Sequence, residues 1–242
     1  EALLRWQHPS KGLINPSDFI PVLEETGLIN AVGRWVLHQA CLQMARWQAA
    51  GLSLQYIAVN VSGAQFADPD FIQMVCEITQ ETGIAPCQLE LELTETILME
   101  DADQALETLN QLRALGFRMS VDDFGTGYSS MAYLNRFPVE KLKIDQNFMK
   151  GLPDNRDNAQ LVKTIITMAQ NMNLSVVAEG VENHRQLEFL VQNGCDKVQG
   201  FLAARPVNAN TISDQYPHYQ LCGYSSPQKH LPEPNDKFSL ES

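Results

Sequence analysis

Apolar runs of strand length alternate with helical stretches along nearly the whole chain, and polar residues gather where the apolar runs end. That alternation constrains the fold more than any other feature. Tyr56–Ser62 is a near-continuous apolar run, as in a parallel strand buried on both faces. Gln88–Thr96 alternates leucine with acid, so Glu90, Glu92 and Thr94 point to one side. Further strands are predicted at Glu1–Trp6, at Arg118–Val121 leading into Asp122 and Asp123, at Lys141–Asp145, Ser175–Glu182 and Lys197–Phe201. Between them, apolar spacing predicts helices over Gly33–Ala50, Asp68–Thr82, Glu100–Leu115 and Ser129–Phe137, from Pro153–Asn158 to Met172, and from Asn183 to Val191. A shorter helix follows Ser17 as N-cap, takes Pro21 in its first turn and stops at Gly27.

Seven strands alternating with helices at this period predict an α/β chain, a TIM-like (β/α)8 barrel short of one strand. The opening residues read as a strand's end, which places the eighth strand upstream of Glu1. Residues 1–222 form one expected domain, and the polar 223–242 segment is expected to be a flexible tail. The net charge of -12 excludes holding a long nucleic acid by phosphate neutralisation. Five scattered cysteines without paired spacing suggest neither a zinc site nor a disulfide framework, and a reducing cytosol fits them. No run of transmembrane length is present, so the segment itself is not expected to insert in a membrane, although a parent protein could be anchored.

In a barrel of this kind Glu1, Asn60, Glu92, Asp122, Asp123, Lys143, Glu179 and Gln199 would meet at the carboxyl-terminal mouth. Asp122-Asp123 before Gly125 is ordinarily a solvated turn. Adjacent strand residues face opposite ways, so both acids reach one site only where the backbone turns. Many carboxylates with one Asn, one Lys and no nearby His favour Mg²⁺ or Mn²⁺ over Zn²⁺. Two such ions are suited to phosphodiester hydrolysis. Lys143 would then orient water or neutralise charge, or it is simply a strand-end lysine paired with Asp145. Arg5, beyond Glu1 on the same strand, could hold a phosphate.

The ordered set Glu1-Ala2-Leu3, Asn60-Val61-Ser62, Glu92-Leu93-Thr94-Glu95, Asp122-Asp123-Phe124-Gly125-Thr126-Gly127, Lys143-Ile144-Asp145, Ala178-Glu179-Gly180-Val181-Glu182 and Gln199-Gly200 resembles an EAL domain, over Glu1 to about Pro206. The resemblance implies a bacterial phosphodiesterase that opens cyclic di-GMP to linear pGpG. It implies that Glu1, Asn60, Glu92 and Asp122 hold one metal, and that Asp122 and Asp123 hold a second. It makes Lys143 the contact to the attacking water, Glu179 an assisting base or ligand, and Arg5 a phosphate contact. Glu95 would hold the loop from Phe124 to Ser130, which in the family links metal occupancy with dimerisation, so a homodimer is an option. Gln199 and Glu182 match site positions of less defined role. The implied setting is cytoplasmic, with sensory or cyclase domains fused upstream. Two departures stand out: the family's first strand with its Gln-Pro motif is absent, and Ala203 replaces a bulky residue. The alternatives are a receptor that binds the dinucleotide without cutting it and, more remotely, an interaction domain.

Overall fold

The computed structural model describes residues 1–127 and 131–215. The expected tail, and Ser129 as the start of a helix, lie outside them. The chain opens with a two-stranded antiparallel hairpin, β1 (Trp6–His8) and β2 (Gly12–Ile14), then α1 (Pro16–Glu25) and α2 (Ile29–Ala49). The alternating part follows as β3 (Ile57–Asn60), α3 (Gly63–Phe66), α4 (Phe71–Thr82), β4 (Leu89–Thr94), α5 (Glu95–Glu100), α6 (Ala102–Ala114), β5 (Arg118–Phe124) and α7 (Met131–Leu134). It ends with β6 (Lys141–Ile144), α8 (Arg156–Asn171), β7 (Ser175–Ala178), α9 (His184–Gln192), β8 (Lys197–Val198) and α10 (Ala209–Gln215).

Strands β3 to β8 form one parallel sheet in sequence order. The seventh expected strand is reduced to a single parallel bridge between Ala2 and Val59, closed by a 2.8 Å bond from the Ala2 N–H to the Ala58 carbonyl. A side-chain bond of 2.7 Å from Gln199, just past β8, to Glu1 spans the two sheet edges. The sheet is therefore curled into an incomplete barrel, open between Ala2 and β8. Because Ala2 already faces the end of β3, the β1–β2 hairpin stands beyond the strands' carboxyl ends.

The leucines of β4 pack outward under the helices, and Leu89, Leu91 and Leu93 are wholly buried with Leu109 and Leu112 of α6. Each such side chain contributes roughly 1.5–3 kcal/mol by leaving water. The opposite face of β4 carries Glu90 and Glu92, also buried. Burial on both faces is what a parallel sheet with crossover helices outside and side chains filling its curled interior gives.

Several element boundaries differ from the expected ones for local reasons. Helix α2 starts at Ile29 rather than Gly33, and Gly33 inside it is a packing glycine: a Cβ there would lie 2.0 Å from the Gln65 amide nitrogen. Helix α1 starts at Pro16, whose missing N–H is no loss at the first position, and so Ser17 lies inside the helix and Pro21 beyond its first turn. Ser62 makes a capping box with Gln65 and creates α3, and Asp101 caps α6, separating it from α5. Strand β8 stops at Val198 because the next residues turn onto Val181, which donates to the Gln199 carbonyl and accepts from Leu202.

Candidate metal and phosphate site

The ends of β4, β5, β6 and β7 deliver their polar side chains to one point. At its centre is the Lys143 ammonium, with a side chain only 2% exposed. Its Nζ lies 2.8 Å from Glu92 Oε2, 3.0 Å from Asp122 Oδ2, 2.8 Å from Glu179 Oε1 and 3.8 Å from Glu1 Oε2. Glu1 is held from two sides, accepting from Asn60 Nδ2 at 2.7 Å and from Gln199 Nε2 at 2.7 Å.

The neighbouring acids Asp122 and Asp123 reach the same site through an irregularity in β5. Its pairing with β6 slips between Val121 and Phe124, and Asp123 takes a left-handed backbone with φ 51°. An aspartate tolerates that conformation better than most residues. The Asp123 N–H is taken up by Asp122 Oδ1 at 2.9 Å. As a result one oxygen each from Asp122, Asp123 and Glu179 come within 4.8 Å of one another.

Below the bulge, buried Glu95 accepts from the Gly125 N–H at 2.9 Å, and a Cβ on Gly127 would come within 3.1 Å of its carboxylate. Glu95 thus fixes the chain where it leaves the Asp pair. On the other side, the backbones of successive mouth loops touch. A Cβ on Gly180 would lie 2.5 Å from that of Gln146, and one on Gly200 would lie 2.3 Å from the Val181 backbone. These contacts set the heights of Glu179 and Gln199 over the mouth.

A family profile for the EAL domain matches residues 1–206. This chain belongs to the EAL-domain family. MucR of Pseudomonas aeruginosa, named a bifunctional diguanylate cyclase/cyclic di-GMP phosphodiesterase, is 47% identical over 212 residues, covering 88% of this chain and 31% of that protein. Cyclic di-GMP phosphodiesterase PdeR of Escherichia coli K12 is 42% identical over 219 residues, 90% of this chain and 33% of that protein. Among solved structures, a PaMucR phosphodiesterase in complex with c-di-GMP superposes with a TM-score of 0.85 at 46% identity, covering 87% of this chain and 85% of that one. The chain spans about a third of the length of these two curated relatives.

The charge balance of this EAL domain explains what its site will take. One ammonium faces four carboxylates, so the acids are not all satisfied. Burial, with Glu1 and Asp122 adding to it against the pull of Lys143, pushes Glu92 up to about 8. Burial and Asp122 push Glu179 up to about 7, again against Lys143. Asp123 rises to about 6 through burial, Asp122 and Asp145. Glu1 goes the other way: burial works to raise it, but Lys143, Gln199 and Asn60 hold it below the usual carboxylate range. Lys143 is raised, because its carboxylates outweigh the burial that opposes its charge. Such a donor set calls for more positive charge, and carboxylate oxygen without His or Cys fits a hard divalent cation.

Not every sequence-predicted residue joins the cluster. Arg5 is exposed and bonds the Leu4 carbonyl at 2.8 Å. Glu182 is exposed, and it is its backbone N–H that is held, by Gln186. The pairing of Lys143 with Asp145 does not occur, because Lys143 points into the barrel while Asp145 lies past the strand end and caps the turn Gln146–Met149. Asp145 instead lies near enough to Asp123 to help burial and Asp122 raise that carboxyl above its ordinary range. In the sequence Asp145 stands as a partner for Lys143 rather than as a member of the site, although an acid at the end of a strand two residues past a lysine is a signal that could have singled it out.

A second polar layer lies deeper in the barrel. Lys141 Nζ bonds both Glu90 oxygens at 2.6 Å and the Tyr56 hydroxyl at 2.9 Å, and Ser120 donates to Glu90 at 3.1 Å. A cavity of about 160 Å³ joins the layers, with Glu1, Glu92 and Lys143 above and Tyr56, Glu90 and Lys141 below.

Proposed function

We propose that this domain is a metal-dependent phosphodiesterase that hydrolyses cyclic di-GMP to linear 5'-pGpG. The observation that carries the reading is the convergence of Asp122, Asp123 and Glu179 beside a buried lysine at the mouth of the curled sheet. The relatives' named activity supports it. In this reading those three carboxylates hold Mg²⁺ or Mn²⁺. Glu1, Asn60 and Glu92, with Asp122 shared, hold a second ion. Bound metal supplies a polarised phosphate and an attacking water of lowered pKa. Glu179 assists at the metal site, as ligand or as acceptor of a proton at its carboxylate. The Lys143 ammonium stabilises charge that develops on the phosphate. Asn60 and Gln199 keep Glu1 from swinging away. In the same reading Arg5 meets a substrate phosphate, and Glu95 keeps the Asp pair in its bulge. Glu182 acts through its loop rather than at the reacting atoms. Fusion to sensory or cyclase domains, dimerisation through the 124–130 loop and a cytoplasmic setting belong to the same proposal. Among the described residues no helix is long and apolar enough to cross a membrane.

The test is incubation with cyclic di-GMP and Mg²⁺ or Mn²⁺, with EDTA as control, followed by chromatography. Metal-dependent pGpG is the expected product. Binding without product would make the domain a receptor. Glu92→Gln should lower turnover by at least about a hundredfold while the melting profile stays cooperative. Parental turnover in that variant would remove Glu92 from the metal assignment.

A further inference from the structure

We infer that Lys143 is the site's resident counter-cation, and that binding of a divalent metal displaces its ammonium from Asp122 and Glu179 toward Glu92 and Glu1. The inference rests on the metal reading above. Its basis is an overlap of ligands. Asp122 and Glu179 belong to the trio whose oxygens converge within 4.8 Å, and the same two residues bond Lys143 Nζ at 3.0 and 2.8 Å. A dication held by those two residues would meet a positive charge at close range in a poorly solvated place. Repulsion at that separation is worth a factor of about ten or more in affinity unless the ammonium moves.

The structure offers it somewhere to go. Glu92 and Glu1 are outside the trio, with Glu92 Oε2 2.8 Å and Glu1 Oε2 3.8 Å from Nζ. The cavity of about 160 Å³ is lined by Lys143, Glu92 and Glu1, and neither Asp122 nor Glu179 lines it. Glu1 is pinned by Asn60 and Gln199, so the acceptor side does not follow the metal. Lys143 thus keeps the carboxylates gathered before metal arrives, and metal occupancy sets where the lysine stands when substrate binds. A second ion drawing on Glu1 and Glu92 meets the displaced ammonium there and binds more weakly than the first.

The experiment uses the parent chain with ¹³C-labelled lysine and a Mg²⁺ titration followed by NMR, with Mg²⁺ binding measured in parallel by calorimetry. The Lys143 ε-methylene signal, identified by its loss in Lys143→Arg, should move as Mg²⁺ saturates. The Lys141 signal should stay, because that lysine is held by Glu90 and Tyr56. Saturation with the Lys143 signal unmoved would overturn the inference and leave the metal reading standing. No Mg²⁺ or Mn²⁺ binding at all would remove both. As a second arm, Lys143→Met should bind Mn²⁺ at least about tenfold more tightly at pH 8.5, read by electron paramagnetic resonance. Equal or weaker affinity in a folded variant counts against displacement.

Discussion

Glu90→Leu tests whether the deep polar layer is held together by charge. Lys141 is 9% exposed and Glu90 3% exposed at their side chains, and the ammonium bonds both carboxylate oxygens. The lysine is raised above its ordinary pKa, since Glu90 and Tyr56 outweigh the burial that opposes its charge. Removing the carboxylate leaves a buried cation with only the Tyr56 hydroxyl, a loss of about 3–5 kcal/mol. In a domain of this size that lowers Tm by roughly 6–20 °C. Replacing both partners, as Glu90→Leu with Lys141→Met, removes the charge along with its partner. The double variant should recover to within about 2 kcal/mol of the parent, the remainder being the hydroxyls of Tyr56 and Ser120 left without their bonds. Urea unfolding of the parent, both single variants and the double variant gives the coupling directly. A Glu90→Leu cost under about 1 kcal/mol, or a double variant as unstable as the worse single, would refute the reasoning. The double variant should also keep metal-dependent turnover, because the cluster around Lys143 is untouched.

Two further predictions concern the upper layer. Glu92 and Glu179 are raised from 4.5 to about 8 and about 7, so the folded, metal-free domain binds more protons than the unfolded chain above pH 4.5. Their contribution is full below that pH and is lost as pH rises through 7 and 8. Melting in EDTA should therefore show Tm falling between pH 5.5 and 8.5, reflecting a stability loss on the order of a few kcal/mol, with Mg²⁺ restoring more at the higher pH; a flat or rising Tm would count against the crowded-carboxylate account. Glu95→Ala removes the acceptor of the Gly125 N–H, which should cost about 1–3 kcal/mol of stability and weaken Mn²⁺ binding about 10–100-fold by loosening the Asp122–Asp123 bulge. Calorimetry with Mn²⁺ decides it, and unchanged affinity would leave Glu95 a purely structural residue.

The sequence alone determined what depends on local periodicity and on single-residue stereochemistry. Alternation in Leu89–Thr94 placed Glu90 and Glu92 on one face and the leucines on the other, and the sheet keeps that division. Gly83, Gly116 and Gly194 close their helices with φ of 75°, 91° and 78°, as residues free of a Cβ do. That the Asp pair needs a turning backbone was also legible, because period two allows no other way for both acids to meet. Only the tertiary structure decided the partners. Periodicity gives a side chain's direction but no distance across the barrel, so nothing local says that Lys143 prefers Glu92, Asp122 and Glu179 to Asp145 two residues away. The bond between Gln199 and Glu1 joins residues 198 apart in sequence. Direction is written residue by residue, whereas the meeting point of directions from separate strands exists only once the sheet has curled.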